Sequence, residues 1–378
     1  MRKRNILYIF MGTGMLSLLW VMILSATGAK VVKTYTNPVL VETFIIQREK
    51  PDNFSGVLGI GDPAVLFHAG KYYLYPTGDN HGYDVYISGD LVNWNKGPRV
   101  FQTSEPGVWA PDVFYNERDG KFYLYYTVNG RIGAAISDRP DGVFQDHGTL
   151  IENGIDAHMF VDEDGRYYLY SVEYPGFRIH VQPMASPVQK KGDPVLIIQA
   201  TDPWEKKHTA LTEAPWMLKH RGLYYLLYSA SGADTRDYAI GYATAKSPLG
   251  PFSKSGNNPI IKKGGGIFGP GHGSVTKTPD GQLWLVYHQQ KSGARGWNRI
   301  ICIDPLWFDD QGGLRGKATR AKSRRLPLSR RKSNGPTNQS IINEMVDNAA
   351  KSPFIFSEIQ RGKYPQNGKV VKQSCNVS

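Results

Sequence analysis

The chain has 378 residues, 40 % hydrophobic and 12 % aromatic, with Tyr 22 and Trp 8, enough apolar material for a large core. Its formal charge of +12 would ordinarily raise nucleic acid as a partner, but Arg315, Lys317, Arg320, Lys322, Arg324, Arg325, Arg330, Arg331 and Lys332 crowd one acid-free segment. Two cysteines, Cys302 and Cys375, exclude a disulfide framework, and no G-x-S-x-G elbow, P-loop or H-E-x-x-H helix supports a serine-hydrolase, nucleotide or zinc-protease reading.

In chain order, Arg2, Lys3 and Arg4 precede an uncharged apolar run from Ile6 to Leu24 and the small residues Ser25, Ala26, Gly28 and Ala29. Residues 1–29 therefore read as an export signal, predicting a periplasmic, extracellular or membrane-anchored protein. The run is also close to bilayer-spanning length, so a retained anchor is the alternative, and a membrane is a partner only in that case. Asn37-Pro38-Val39-Leu40 reads as a short strand suited to pairing with the last repeat. The segment Val41 to Ile60, including Gln47 to Ser55, reads as a polar loop on the rim of a pocket.

Five related hairpins follow. They are DPAVLFHAGKYYLYPTG from Asp62, APDVFYNERDGKFYLYYT from Ala110, DAHMFVDEDGRYYLYS from Asp156, TEAPWMLKHRGLYYLLYS from Thr212 and GHGSVTKTPDGQLWLVYHQ from Gly271. Asp119-Gly120, Asp164-Gly165 and Asp280-Gly281 supply tight-turn glycines, as do Ala69-Gly70 and Arg221-Gly222. The aromatic run behind each glycine suits a strand covered on both faces. Repeats of roughly 40 to 50 residues built from short strands predict an all-β β-propeller over 33–320, each hairpin opening one blade. Aligned on their turn glycines, the copies bring Asp62, Asp112, Asp156, Glu213 and His272 to the start of the five inner strands, around one channel. Carboxylates crowded into one space are costly and point to function. Beyond the propeller, 321–378 reads as a basic, poorly structured tail in which only Ile341 to Ala350 suits a helix. A solvated tail is the first reading of its charge, with a polyanionic polysaccharide, a membrane surface or nucleic acid as alternatives. Cys302, in an apolar stretch, reads as a core thiol.

Two carboxylates across a pocket suffice to hydrolyse a glycosidic bond, one protonating the leaving oxygen and the other activating water or attacking carbon. The ordered run NPVL, GDPAV, WAPDV, IDAHMF, TEAPWM, GPGHGS and NRIICIDPLWF resembles the family 43 glycoside hydrolases across about 280 residues. The resemblance implies a five-bladed propeller and an inverting hydrolase of arabinose- or xylose-containing plant glycans, with an oligosaccharide or polysaccharide as partner and no nucleic acid. By position, Asp62 matches the general base, Glu213 the general acid, and Asp156 the third carboxylate, which tunes the pKa of the acid and orients it. Arg299 matches an arginine that contacts substrate or acid, and His272 matches a channel histidine that helps hold calcium in some members. No cofactor is required on this reading. A structural calcium near His272 is the one metal it leaves open, with no cluster of further ligands visible. Trp109 is assigned to the substrate pocket, where Trp216 is the weaker candidate. Asp112 matches no catalytic role and reads as a hydrogen bond to a neighbouring blade, and His158 reads equally as packing or as a substrate contact. A β-galactosidic linkage and a non-catalytic carbohydrate-binding propeller are the competing readings.

Overall fold

The second strand of each repeat is buried along nearly its whole length: Lys71–Thr77, Lys121–Val128, Tyr167–Glu173, Leu223–Ala230 and Leu283–Gln290. Alternate side chains of such a strand enter two different cores. Tyr73 and Tyr75 pack with Val113, Phe122 and Leu124 of the second repeat, whereas Tyr72 and Leu74 pack with Trp284, Val286, Ile301 and Ile303 of the last. The same division recurs, giving one apolar cluster between each pair of successive blades and a fifth between the last blade and the first. The molecule is a five-bladed β-propeller.

The computed structural model describes residues 34–46, 56–321 and 324–325. The expected export signal, the rim residues Gln47 to Ser55, the helix at Ile341 to Ala350 and Cys375 lie outside them. Among the described residues no helix is long and apolar enough to cross a membrane. The blades are antiparallel sheets whose inner strands are Gly61–His68, Val108–Asn116, Gly154–Val161, Thr212–His220 and Phe268–Lys277. Each pairs with the buried second strand behind it, and shorter strands complete the outer edge. The turns use their glycines with φ near +70° to +90°: Gly70 at 78°, Gly120 at 70°, Gly165 at 78°, Gly222 at 77° and Gly281 at 86°.

Two parts of the approach differ from the sequence reading. Val41 to Ile60 is not simply a loop, because Thr43–Ile46 and Gly56–Gly59 form an antiparallel hairpin. Its Thr-Phe-Ile-Ile run has strand-forming residues that the polar flanks conceal. The Asn37 to Leu40 stretch pairs its backbone with the last blade in a bridge at Leu40 and Ile301 rather than as a continuous strand, and Asn37 reaches Ile303 through its side chain. Ahead of it, Thr34–Tyr35 pairs with Arg324–Arg325.

Candidate active site

Each inner strand breaks register near its start, and at each break one residue takes a left-handed conformation: Asp62 (φ 46°), Ala110 (37°), Asp156 (55°), Ala214 (54°) and His272 (48°). None is glycine, so each bulge carries backbone strain that surrounding contacts must offset. A hydrogen bond from the bulged amide does so. Ala110 N–H donates to Thr77 Oγ1 (2.7 Å), Asp156 N–H to Thr127 Oγ1 (3.3 Å), His272 N–H to Ser229 Oγ (2.9 Å) and Asp62 N–H to His288 Nδ1 (3.1 Å). Each acceptor belongs to the second strand of the preceding blade. Ala214 is the exception: its N–H donates to Asp156 Oδ2 (3.0 Å).

The bulges correct the alignment on turn glycines. Hairpin connections differ in length, from the two residues Ala69-Gly70 to the longer stretch between Lys277 and Leu283. Counting back from the glycine therefore slips the register. Asp62, Asp156 and His272 occupy the bulge itself, Glu213 precedes its bulge by one residue, and Asp112 lies two residues beyond Ala110. Asp112 bonds to the third blade, as its sequence reading expects, accepting the Met159 N–H (2.8 Å) and standing 3.2 Å from His158 Nδ1.

Asp62, Asp156 and Glu213, distant in sequence, form one electrostatic cluster with His272, and each is buried with 6 % of its surface exposed. Arg299 Nη1 donates to both Asp62 oxygens, at 2.6 and 2.8 Å, and His272 Nδ1 stands 3.2 Å from Asp62 Oδ1 and 4.0 Å from Asp156 Oδ2. Burial alone would raise the Asp62 pKa, but the charges of Arg299 and His272 outweigh it and hold the carboxyl well below its usual range. Glu213 moves the other way. Burial, then the charge of Asp156, pushes it up to about 8. The neighbouring Tyr238 phenol opposes that shift, although its hydroxyl and Glu213 Oε1 do not meet hydrogen-bond geometry. Burial also raises Asp156, against the charge of His272. For His272, burial pulls the pKa down while Asp62 and then Asp156 overcome it, leaving the imidazole at about 8. At neutral pH the cluster thus presents a protonated Glu213 facing an ionised Asp62.

Trp109 is half-buried immediately before the second bulge, its indole N–H donating to Asn80 Oδ1 (3.1 Å) and its ring edge-on to Tyr174 at 6.4 Å. Trp216 stacks on His158 with centroids 4.1 Å apart, so both rings serve as packing between blades. Cys302 is a fully buried free thiol. Three contributors carried no signal in the sequence. His288 sits inside an aromatic run, Tyr238 lies outside the repeated hairpins just ahead of the strand Ala239–Ala245, and Gly61 is demanded by proximity, since a Cβ there would lie 2.3 Å from Arg299 Cζ. Among the described residues no three His, Cys, Asp or Glu side chains are placed to hold a metal ion. His272 turns its Nδ1 to Asp62. A cavity of about 520 Å³, lined by Lys262, Lys263, Lys317 and Arg320, includes none of the carboxylates.

A propeller whose axis holds an acid and a carboxylate of opposite protonation is the framework of a glycoside hydrolase. Residues 59–313 match Glycosyl hydrolases family 43. The chain belongs to that family. It is 31 % identical over 288 residues to the β-D-galactofuranosidase XynD of Aspergillus niger, covering 67 % of this chain and 81 % of that one. It is 28 % identical over 317 residues to a xylosidase/arabinosidase of Bacteroides ovatus, covering 68 % and 94 %. The crystal structure of a thermostable family-43 glycoside hydrolase superposes with a TM-score of 0.67 at 37 % identity, over 78 % of this chain and 99 % of that one.

Proposed function

We propose that this glycoside hydrolase is exported and releases α-L-arabinofuranosyl or β-D-xylosyl units from plant-type polysaccharides or oligosaccharides with inversion of configuration. The observation that carries the proposal is the opposed ionisation within one buried cluster, Glu213 at about 8 and Asp62 far below its usual range. Glu213 donates its proton to the glycosidic oxygen as the bond to the anomeric carbon breaks. Asp62 takes a proton from the water attacking the opposite face, so the hydroxyl arrives inverted. Asp156 keeps Glu213 protonated through its charge and holds the adjacent Ala214 amide. Arg299 and His272 keep Asp62 ionised, and Trp109 offers an aromatic face at the entrance. The apolar Ile6 to Leu24 run behind Arg2, Lys3 and Arg4 supports export.

The likeness to XynD favours a second reading, a β-D-galactofuranosyl substrate. That sugar shares its ring configuration with α-L-arabinofuranose and differs by an exocyclic carbon. The test is kcat/KM on aryl α-L-arabinofuranoside, β-D-xyloside and β-D-galactofuranoside, with NMR of the first-formed anomer. The proposal stands if an arabinofuranoside or xyloside is preferred and the configuration inverts, and galactofuranoside preference installs the second reading. A retained configuration removes Asp62 as base. Glu213→Gln should lower kcat by about 10²-fold or more while sugar binding stays measurable.

A further inference from the structure

We propose that His288 is a positioning residue for the hydrolytic reaction: by accepting the Asp62 backbone N–H at Nδ1, it fixes the bulge that presents the Asp62 carboxylate to the axis. The inference rests on the reading of Asp62 as the base.

Four of the five bulged amides are held by a side chain from the second strand of the preceding blade, at one register position. Thr77, Thr127 and Ser229 offer hydroxyls, and His288 alone offers an imidazole. The pairings Gly61 with Thr77, Trp109 with Thr127, Glu213 with Ser229 and Gly271 with His288 establish that equivalence. The bulge held by His288 also closes the ring, since the acceptor comes from the last blade and the amide from the first.

The imidazole is suited to this because it cannot turn away. His288 is fully buried, and its ring stacks on Tyr238 with centroids 5.6 Å apart and planes 16° from parallel. A serine or threonine hydroxyl can rotate between partners, whereas a clamped neutral ring presents one lone pair in one direction. The neutral state is enforced by burial, with the nearby Arg299 charge adding to it, and the ring stays unprotonated down to about pH 4. Its proton then sits on Nε2, leaving Nδ1 to accept. Nδ1 also lies 3.3 Å from Asp62 Oδ1. With Nδ1 occupied as the acceptor of the Asp62 N–H, that approach is not a hydrogen bond, and the carboxylate is left to Arg299 and His272. His288 therefore fixes the backbone from which Asp62 extends, and it acts on the reaction through Asp62.

The test compares His288→Asn with His288→Leu, side chains of similar shape of which only asparagine carries an acceptor near the place of Nδ1. The expected result is kcat within about fivefold of wild type for His288→Asn and a loss of about 10²-fold for His288→Leu, with KM changed less than about threefold, the scale on which small misplacements act. The acid limb of the pH profile should also rise in His288→Leu, because an Asp62 displaced from Arg299 titrates higher. Equal turnover in the two variants overturns the proposal, whether both match wild type or both fall together. If His288→Leu does not fold, His288→Asn decides, and a loss beyond about tenfold in folded protein overturns the role. Asp62→Asn is assayed alongside. Its retaining wild-type turnover would remove Asp62 as base and the inference with it. An inactive Asp62→Asn beside a fully active His288→Leu removes the positioning role alone.

Discussion

Val172 stands opposite Ile155 in the third blade, at the register position where other blades carry Thr77, Thr127, Ser229 or His288. A valine accepts no hydrogen bond, and the Ala214 amide turns instead to Asp156. One carboxylate therefore raises the Glu213 pKa by its charge and steadies the backbone next to Glu213 by its oxygen. Asp156→Asn separates the two duties, since the amide oxygen can still accept while the charge is gone. With Glu213 as the acid of the proposed reaction, activity is expected below its pKa of about 8 and lost above it. Removing the like charge lowers that pKa. The alkaline limb of kcat/KM should move down by roughly one to two pH units in Asp156→Asn, with thermal stability retained. Asp156→Ala should in addition cost about 1–3 kcal/mol of stability, because the buried Ala214 N–H is left unpaired. An alkaline limb that stays in place in Asp156→Asn would show that Asp156 does not tune the acid.

The inner strand is the element that converts repeated sequence into a site, and it does so only where another chain segment lets it approach the axis. Gly59 and Gly61 lie against Arg299: a Cβ on Gly59 would sit 2.1 Å from its carbonyl oxygen, and one on Gly61 would overlap its guanidinium. Gly61→Ala should therefore push Arg299 off Asp62 and lower kcat/KM by about 10²-fold, while Gly89→Ala, with open space around it, serves as a neutral control. Wild-type kinetics in Gly61→Ala would mean the guanidinium can yield without cost. These strands also show what can be read from sequence. The hairpins were legible because aromatic runs and turn glycines are compositional signals, and Asp62, Asp156 and Glu213 were legible through their motifs. The bulge was not, since a left-handed Ala110 or Ala214 looks like any other alanine and the strain is held by a residue one blade away. The register that sets Asp112 two residues beyond its bulge was therefore not legible, although its hydrogen bond to the neighbouring blade was, and His288 was hidden within an apolar strand.

At the scale of the whole molecule, the chain itself links each blade to the next except the last to the first, where the ring must close through contacts alone. The closing core joins Tyr72 and Leu74 to Trp284, Val286 and Ile301, with Tyr35 and Ile60 contributed by the N-terminal segment. Asn37, 1 % exposed, is the polar centre of this closure. Its Nδ2 donates to the Ile303 carbonyl (2.7 Å) and Thr319 Oγ1 (2.9 Å), and its Oδ1 accepts the Ile303 N–H (2.9 Å). The Ala321 N–H donates to the Asn37 carbonyl (2.9 Å), so the segment after the last blade is tied to the segment before the first. Asn37→Ala would strip the buried Ile303 N–H and carbonyl of their partner at once, a cost of about 2–4 kcal/mol. For a domain of this size that corresponds to a melting temperature lower by roughly 5–10 °C. Turnover of the folded enzyme at 25 °C should be unchanged, because Asn37 bonds to none of the axial residues. Heating scans together with kcat at the lower temperature separate the two effects. A melting temperature within about 2 °C of wild type would mean that the apolar closing core holds the ring without the asparagine, and a fall in kcat at unchanged stability would mean that closure is coupled to the placement of Asp62.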